Sequence, residues 1–162
     1  MLGVDPGTAA TGYGVVERGS GPHRLIECGV IRPPAGRPLA ARLAVIFEEL
    51  SQVISRHQPS AVAVEDVFVA HNARSALVLG HARGVIMLAA AQAGIEVAEY
   101  APREVKAAIV GAGSATKLQI QAMVARHLRL KEPPRPADAA DGVAVALTHV
   151  LRARVFRRAK VG

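Results

Sequence analysis

The chain has 162 residues, of which 51% are apolar and 20% charged, and its formal net charge is +7. That length gives one domain with a real core and is short for two, and the apolar share excludes a disordered polypeptide. A single cysteine, Cys28, excludes internal disulfides and thiolate zinc sites and suits a reducing cytoplasm.

Residues 1–5 form a short apolar run stopped by Pro6-Gly7, which reads as a strand entering a turn. Asp5 interrupts that run before a secretory signal could develop, so a cytoplasmic protein is expected. Residues 11–17 and 24–32 read as two further strands joined by Gly19-Ser20-Gly21-Pro22, giving an antiparallel meander. After Pro33-Pro34, the apolar residues Leu39, Leu43, Ile46, Phe47, Leu50, Val53 and Ile54 recur at helical spacing, with Arg42, Glu48, Glu49, Gln52 and Arg56 opposite. Pro59 ends that helix. Residues 61–64 are continuously apolar, as in a central strand covered on both faces and parallel to the first.

A long apolar helix is expected over about 73–93. His81 and Arg83 in its middle argue for burial in protein rather than a membrane span. A strand over 96–100 and a short helix over 103–110 follow. Ser114 is placed to cap a helix reaching about residue 130, and the last helix starts near 137. The whole is α/β, a five-stranded mixed sheet flanked by helices on both faces, spanning 1–151. Residues 152–162 are expected as a basic tail, with disorder and function both open.

Acidic residues stand where strands end. Asp5 closes the first strand, Glu65 the fourth, and Asp138 and Asp141 share a face of the last helix. Gathered carboxylates repel and require a proton or a cation. Oxygen-only ligands favour Mg2+, with Mn2+ able to substitute, and two such ions about 4 Å apart suit in-line displacement at phosphorus. A surface carrying 20 Lys+Arg against 13 Asp+Glu attracts polyanions. Each acid has an ordinary reading taken alone: turn chemistry at Asp5, a solvated loop at Glu65, a helix N-terminus at Asp138. Their agreement on one region points to metal-dependent phosphodiester hydrolysis of nucleic acid.

The segments Leu2-Gly-Val-Asp-Pro-Gly-Thr8, Thr11-Gly-Tyr-Gly14, Val64-Glu-Asp-Val-Phe68, Asn72, His81-Ala-Arg-Gly84, Gly111-Ala-Gly-Ser-Ala115 and Ala137-Asp-Ala-Ala-Asp141 occur in that order. In these the chain resembles the RuvC family of bacterial Holliday-junction endonucleases. The resemblance implies a ribonuclease H-like fold, a homodimer, and symmetric nicking of four-way junction DNA in recombination and repair. It implies that Asp5, Glu65, Asp138 and Asp141 are the metal-binding catalytic acids, the family admitting a histidine near the third. It further implies DNA contacts by Phe68, Asn72, Lys106 and Lys117, and cooperation with the branch-migration proteins RuvA and RuvB. The helix over 76–93 is the expected dimer contact, because it is more apolar than one sheet face requires.

Two other readings share part of this pattern. Asp-x-Gly-Thr at a first strand also occurs in actin-like ATPases and sugar kinases, but these need a second domain to enclose a nucleotide. A short YqgF-like nuclease is closer, and the 111–117 loop is not a Walker loop. A junction-binding module with structural Mg2+ is the non-enzymatic alternative.

Overall fold

Alternation along the strands decides which layer each residue joins. The computed structural model describes residues 1–66 and 73–159, with side chains described as far as residue 152. In β1 (Leu2–Asp5), Leu2 and Val4 face one layer and Gly3 faces the other. β4 (Val62–Glu65) repeats this, with Val62 and Val64 on the first side and Ala63 on the second. Neither strand can afford a polar residue before its last position.

β2 (Thr11–Glu17) and β3 (Arg24–Ile31) pair antiparallel on one side of β1, while β4 and β5 (Val97–Tyr100) pair parallel on the other. The order is β3-β2-β1-β4-β5, so the expected five-stranded mixed sheet is present. α1 (Leu39–His57) and α2 (Ala73–Gln92) cover one face around Ile46, Leu50 and Ile86. α3 (Pro102–Val110), α4 (Lys117–His127) and α5 (Ala137–Ala159) cover the other around Ile109, Val124 and Leu147.

α5 is the central helix of the second layer. Ala139, Ala140 and every residue from 142 to 148 are buried, which its small side chains permit. The strand glycines Gly3, Gly12 and Gly14 face it, and a Cβ at Gly12 would fall on the carbonyl oxygen of Asp138. Gly142 returns the contact, since a Cβ there would lie 2.5–2.7 Å from the backbone of Tyr13 and Gly12. Backbone therefore packs on backbone at the front of the sheet. Farther along α5, Arg152 Nη1 donates to Glu104 Oε1 of α3 at 2.6 Å. The helix continues to Ala159, so the backbone of the basic segment is helical as far as that residue.

Two expectations need correction. The cap of α4 is Thr116, whose hydroxyl accepts from the Gln119 N–H while the Gln119 side chain accepts from the Thr116 N–H. This reciprocal box outcompetes Ser114, which lacks a glutamine or glutamate three residues on. α2 was expected to be buried, yet only Ala82, Ile86, Ala89 and Ala90 are. Leu77 is 66% exposed and Leu88 50%. By length and composition α2 could cross a membrane. Its Arg83, however, pairs with Asp66 after β4 and with Glu99 on β5, tying it to the sheet.

Candidate active site

Parallel pairing of β1 with β4 sets Val4 opposite Val64, so Asp5 and Glu65 follow side by side at the ends of the two strands. Their carboxyl groups are close enough to share a hydrogen bond when one of them keeps a proton. Burial is the main cause, pushing both well above the ordinary carboxylate range. The charge and hydrogen bond of Asp5 raise Glu65 further, whereas in Asp5 the bond to Glu65 opposes the rise.

The loop after Asp5 is held from two directions. Thr11 Oγ1 donates to the Gly7 carbonyl at 2.6 Å, and Arg42 of α1 donates through Nε to the Thr8 carbonyl at 3.1 Å. Helical spacing places Arg42 on the solvent face of α1. It instead turns back, half-buried, because the loop presents a carbonyl that needs a donor. Glu65 is likewise backed by the next residue, whose N–H bonds the Tyr100 carbonyl at 2.8 Å.

Asp138 and Asp141 arrive on the first turns of α5, held over β2 by the glycine contacts. Both interact electrostatically with Asp5, and Asp141 also with Glu65. Each is engaged by a cation: Lys117 Nζ lies 2.6 Å from Asp141 Oδ2, and Arg32 Nη2 lies 3.2 Å from Asp138 Oδ2. Burial raises the Asp141 carboxyl, and the Lys117 ammonium opposes that rise. The Lys117 ammonium is itself held above its ordinary value, chiefly by its hydrogen bond to Asp141. Lys106 on α3 acts electrostatically on Glu65.

The four acids thus share one region, with both expected lysines beside them. Among the described residues, no three His, Cys, Asp or Glu side chains converge as a ready-made metal cluster. The donor chemistry nonetheless fits a hard divalent cation: every candidate ligand is a carboxylate oxygen, and a proton and two cationic side chains supply the positive charge. Phe68 and Asn72 lie outside the described residues. Arg32 was missed, since nothing around an exposed arginine at a strand end reveals a partner 106 residues away.

The family model described as "Crossover junction endodeoxyribonuclease RuvC" matches residues 1–149. The chain belongs to the RuvC family. A curated relative of that description from Pelotomaculum thermopropionicum is 51% identical over 149 residues, covering 92% of this chain and 91% of its own. Another, from Roseiflexus sp., is 48% identical over 161 residues, covering 99% and 96%. The solved structure of Thermus thermophilus RuvC superposes with a TM-score of 0.87 at 38% identity, covering 96% of this chain and 97% of that one. T. thermophilus RuvC in complex with Holliday junction substrate superposes with 0.90, covering 96% and 94%. The yeast mitochondrial resolvase Ydc2, 10% identical with a TM-score of 0.64, shares the ribonuclease H-like fold.

Proposed function

We propose that Asp5, Glu65, Asp138 and Asp141 are the metal-holding acids with which this chain, a crossover junction endodeoxyribonuclease of the RuvC family, cuts four-way DNA junctions in recombination and repair. The observation that carries this reading is that Asp5 and Glu65 end neighbouring parallel strands, with both α5 acids in electrostatic reach of Asp5. Buried carboxyls that must share a proton are poorly stable as they stand, and a divalent cation relieves them.

Mg2+, replaceable by Mn2+ and bound as two ions per site, would supply an activated water and stabilise the departing oxygen at phosphorus. The side chains do the rest. Asp5 and Glu65 must give up their shared proton when the cation enters, so ion uptake releases a proton. Lys117 opens α4, where the positive end of the helix and an ammonium together suit a phosphate. Lys106 lies near Glu65 and can neutralise charge on the strand being cut. Phe68 and Asn72 are assigned to the DNA by resemblance alone, Phe68 as an aromatic that stacks on or wedges between bases.

A homodimer fits the bare side of α2, where Leu77, Gly80, Gly84 and Leu88 line a shallow apolar hollow with Leu43 of α1. A two-fold pair of sites would match a junction of near two-fold symmetry. RuvA and RuvB are the expected partners in branch migration, and the cytoplasm is the expected location.

Incubation with a labelled synthetic four-way junction, with and without Mg2+ and beside linear duplex, tests the assignment. Paired incisions in opposite arms that require the ion are expected. Asp5→Asn that still cuts at the wild-type rate would overturn the assignment of the acids.

A further inference from the structure

We propose that Arg32 is a positioning residue for Asp138, holding one carboxylate oxygen so that the other is aimed at the divalent cation. The inference rests on the reading of Asp138 as a metal-holding acid and adds a residue to that site.

Three observations meet at this contact. It is single-ended, with Arg32 Nη2 on Asp138 Oδ2 at 3.2 Å, and among the described residues Oδ1 accepts no hydrogen bond. Arg32 leaves a well-anchored stretch of backbone: Ile31 before it is 1% exposed, Pro33 after it is buried, and a residue preceding proline is confined to extended conformations. The Asp138 backbone is immobilised from the other side by Gly12. What stays free in Asp138 is the rotation of its side chain, and the guanidinium acts on that rotation.

Stability is a poor explanation for the pair. The arginine side chain is 54% exposed and the aspartate 40%, and an ion pair so exposed adds little to folding. Fixing a ligand's orientation is different. Groups that hydrogen-bond a metal-ligating carboxylate commonly change metal affinity by about 10- to 100-fold when removed. Arginine suits the task because its planar fork keeps its charge and direction at any working pH.

Mn2+ titration of the DNA-free protein, followed by calorimetry and by the paramagnetic resonance of the free ion, reads affinity without catalysis. Arg32→Gln is expected to weaken Mn2+ binding about tenfold, and Arg32→Lys to recover part of the loss. The thermal midpoint of the metal-free variant should match wild type. In cleavage assays the half-saturating Mg2+ concentration should rise, while the rate at saturating Mg2+ returns close to wild type. Equal or tighter Mn2+ binding in Arg32→Gln would overturn the proposal. So would a lowered metal-free midpoint, or a rate deficit that saturating Mg2+ leaves unchanged, the latter marking a DNA contact instead. Asp138→Asn separates the two levels of the argument. If it binds Mn2+ like wild type, Asp138 is no ligand and both readings fall; if it binds weakly while Arg32→Gln does not, only the role of Arg32 falls.

Discussion

Gly12 of β2 lies so close to Asp138 of α5 that a methyl group on the glycine would sit 1.8 Å from the aspartate's carbonyl oxygen. The contact sets how near the α5 acids come to the strand ends. Gly12→Ala must push the helix outward, and overpacking of this kind costs about 1–3 kcal/mol. We expect a lower thermal midpoint and a cleavage rate that falls further than junction affinity does. Thermal melts and single-turnover assays at saturating enzyme would separate these effects.

Loss of either strand-end acid should abolish chemistry while sparing recognition. Asp5→Asn and Glu65→Gln are each expected to slow cleavage by more than about 100-fold, the upper range for groups that merely support a metal ligand. Electrophoretic mobility shifts should give junction affinities at or above wild type, since the substitutions reduce negative charge near the DNA.

The same pair carries a stability cost. Both carboxyls titrate above their unfolded values in the metal-free protein, so the folded state binds more protons than the unfolded state from about pH 4 upward. Stability therefore declines as pH rises through that window, and the cost is complete once the folded pair has ionised. Asp5→Asn in EDTA should melt above wild type at pH 8, with the gap closing toward pH 4. Added Mg2+ should stabilise wild type and not the variant, measurable by scanning calorimetry.

Across the sheet from the acids, Glu27 accepts from Arg56 Nη2 at 2.7 Å and from the Tyr13 hydroxyl at 2.8 Å, and its other oxygen meets His57 Nε2 at 2.7 Å. Arg56 above all, with His57 and Tyr13 assisting, holds the carboxyl down at about 2. A depressed acid stabilises the fold fully above its unfolded value and loses that contribution as pH falls through the folded one. Glu27→Gln should therefore melt below wild type at pH 7, and the difference should fade between about pH 4.5 and pH 2. A gap that persists to pH 2 would assign the effect to packing.

Leu77 and Leu88 stand bare on α2, and a charge at either is incompatible with an apolar contact between copies. If wild type sediments as the proposed dimer at micromolar concentration, Leu77→Glu and Leu88→Glu should sediment as monomers there. Paired incision of a junction should become uncoupled in these variants.

Much of this molecule could be read from the chain. The runs 2–4 and 62–64 end in acids because an acid is tolerated only where the strand leaves the core, so Asp5 and Glu65 were visible at once. Thr116 was legible too, because Gln119 stands three residues on and completes a capping box that Ser114 lacks. Gly3, Gly12 and Gly14 carried a signal, since a strand rich in glycine invites close approach by another backbone. Arg32 and Arg42 were not legible. A long cationic side chain declares its charge, while its partner is chosen by a fold that joins positions far apart in sequence. The bare side of α2 was legible as an excess of apolar residues over what one sheet face requires, while the identity of the bare residues, Leu77 and Leu88, depended on how the helix is rotated on the sheet.

α5 both covers the glycine-lined front of the sheet and brings two of the four acids. A polypeptide still being synthesised, with β1 and β4 complete but residue 138 not yet made, holds only half of the acidic set. Under the reading offered for these residues, the capacity to break DNA arises only when α5 docks, and a chain that has not yet made that helix poses no hazard to the DNA it will serve.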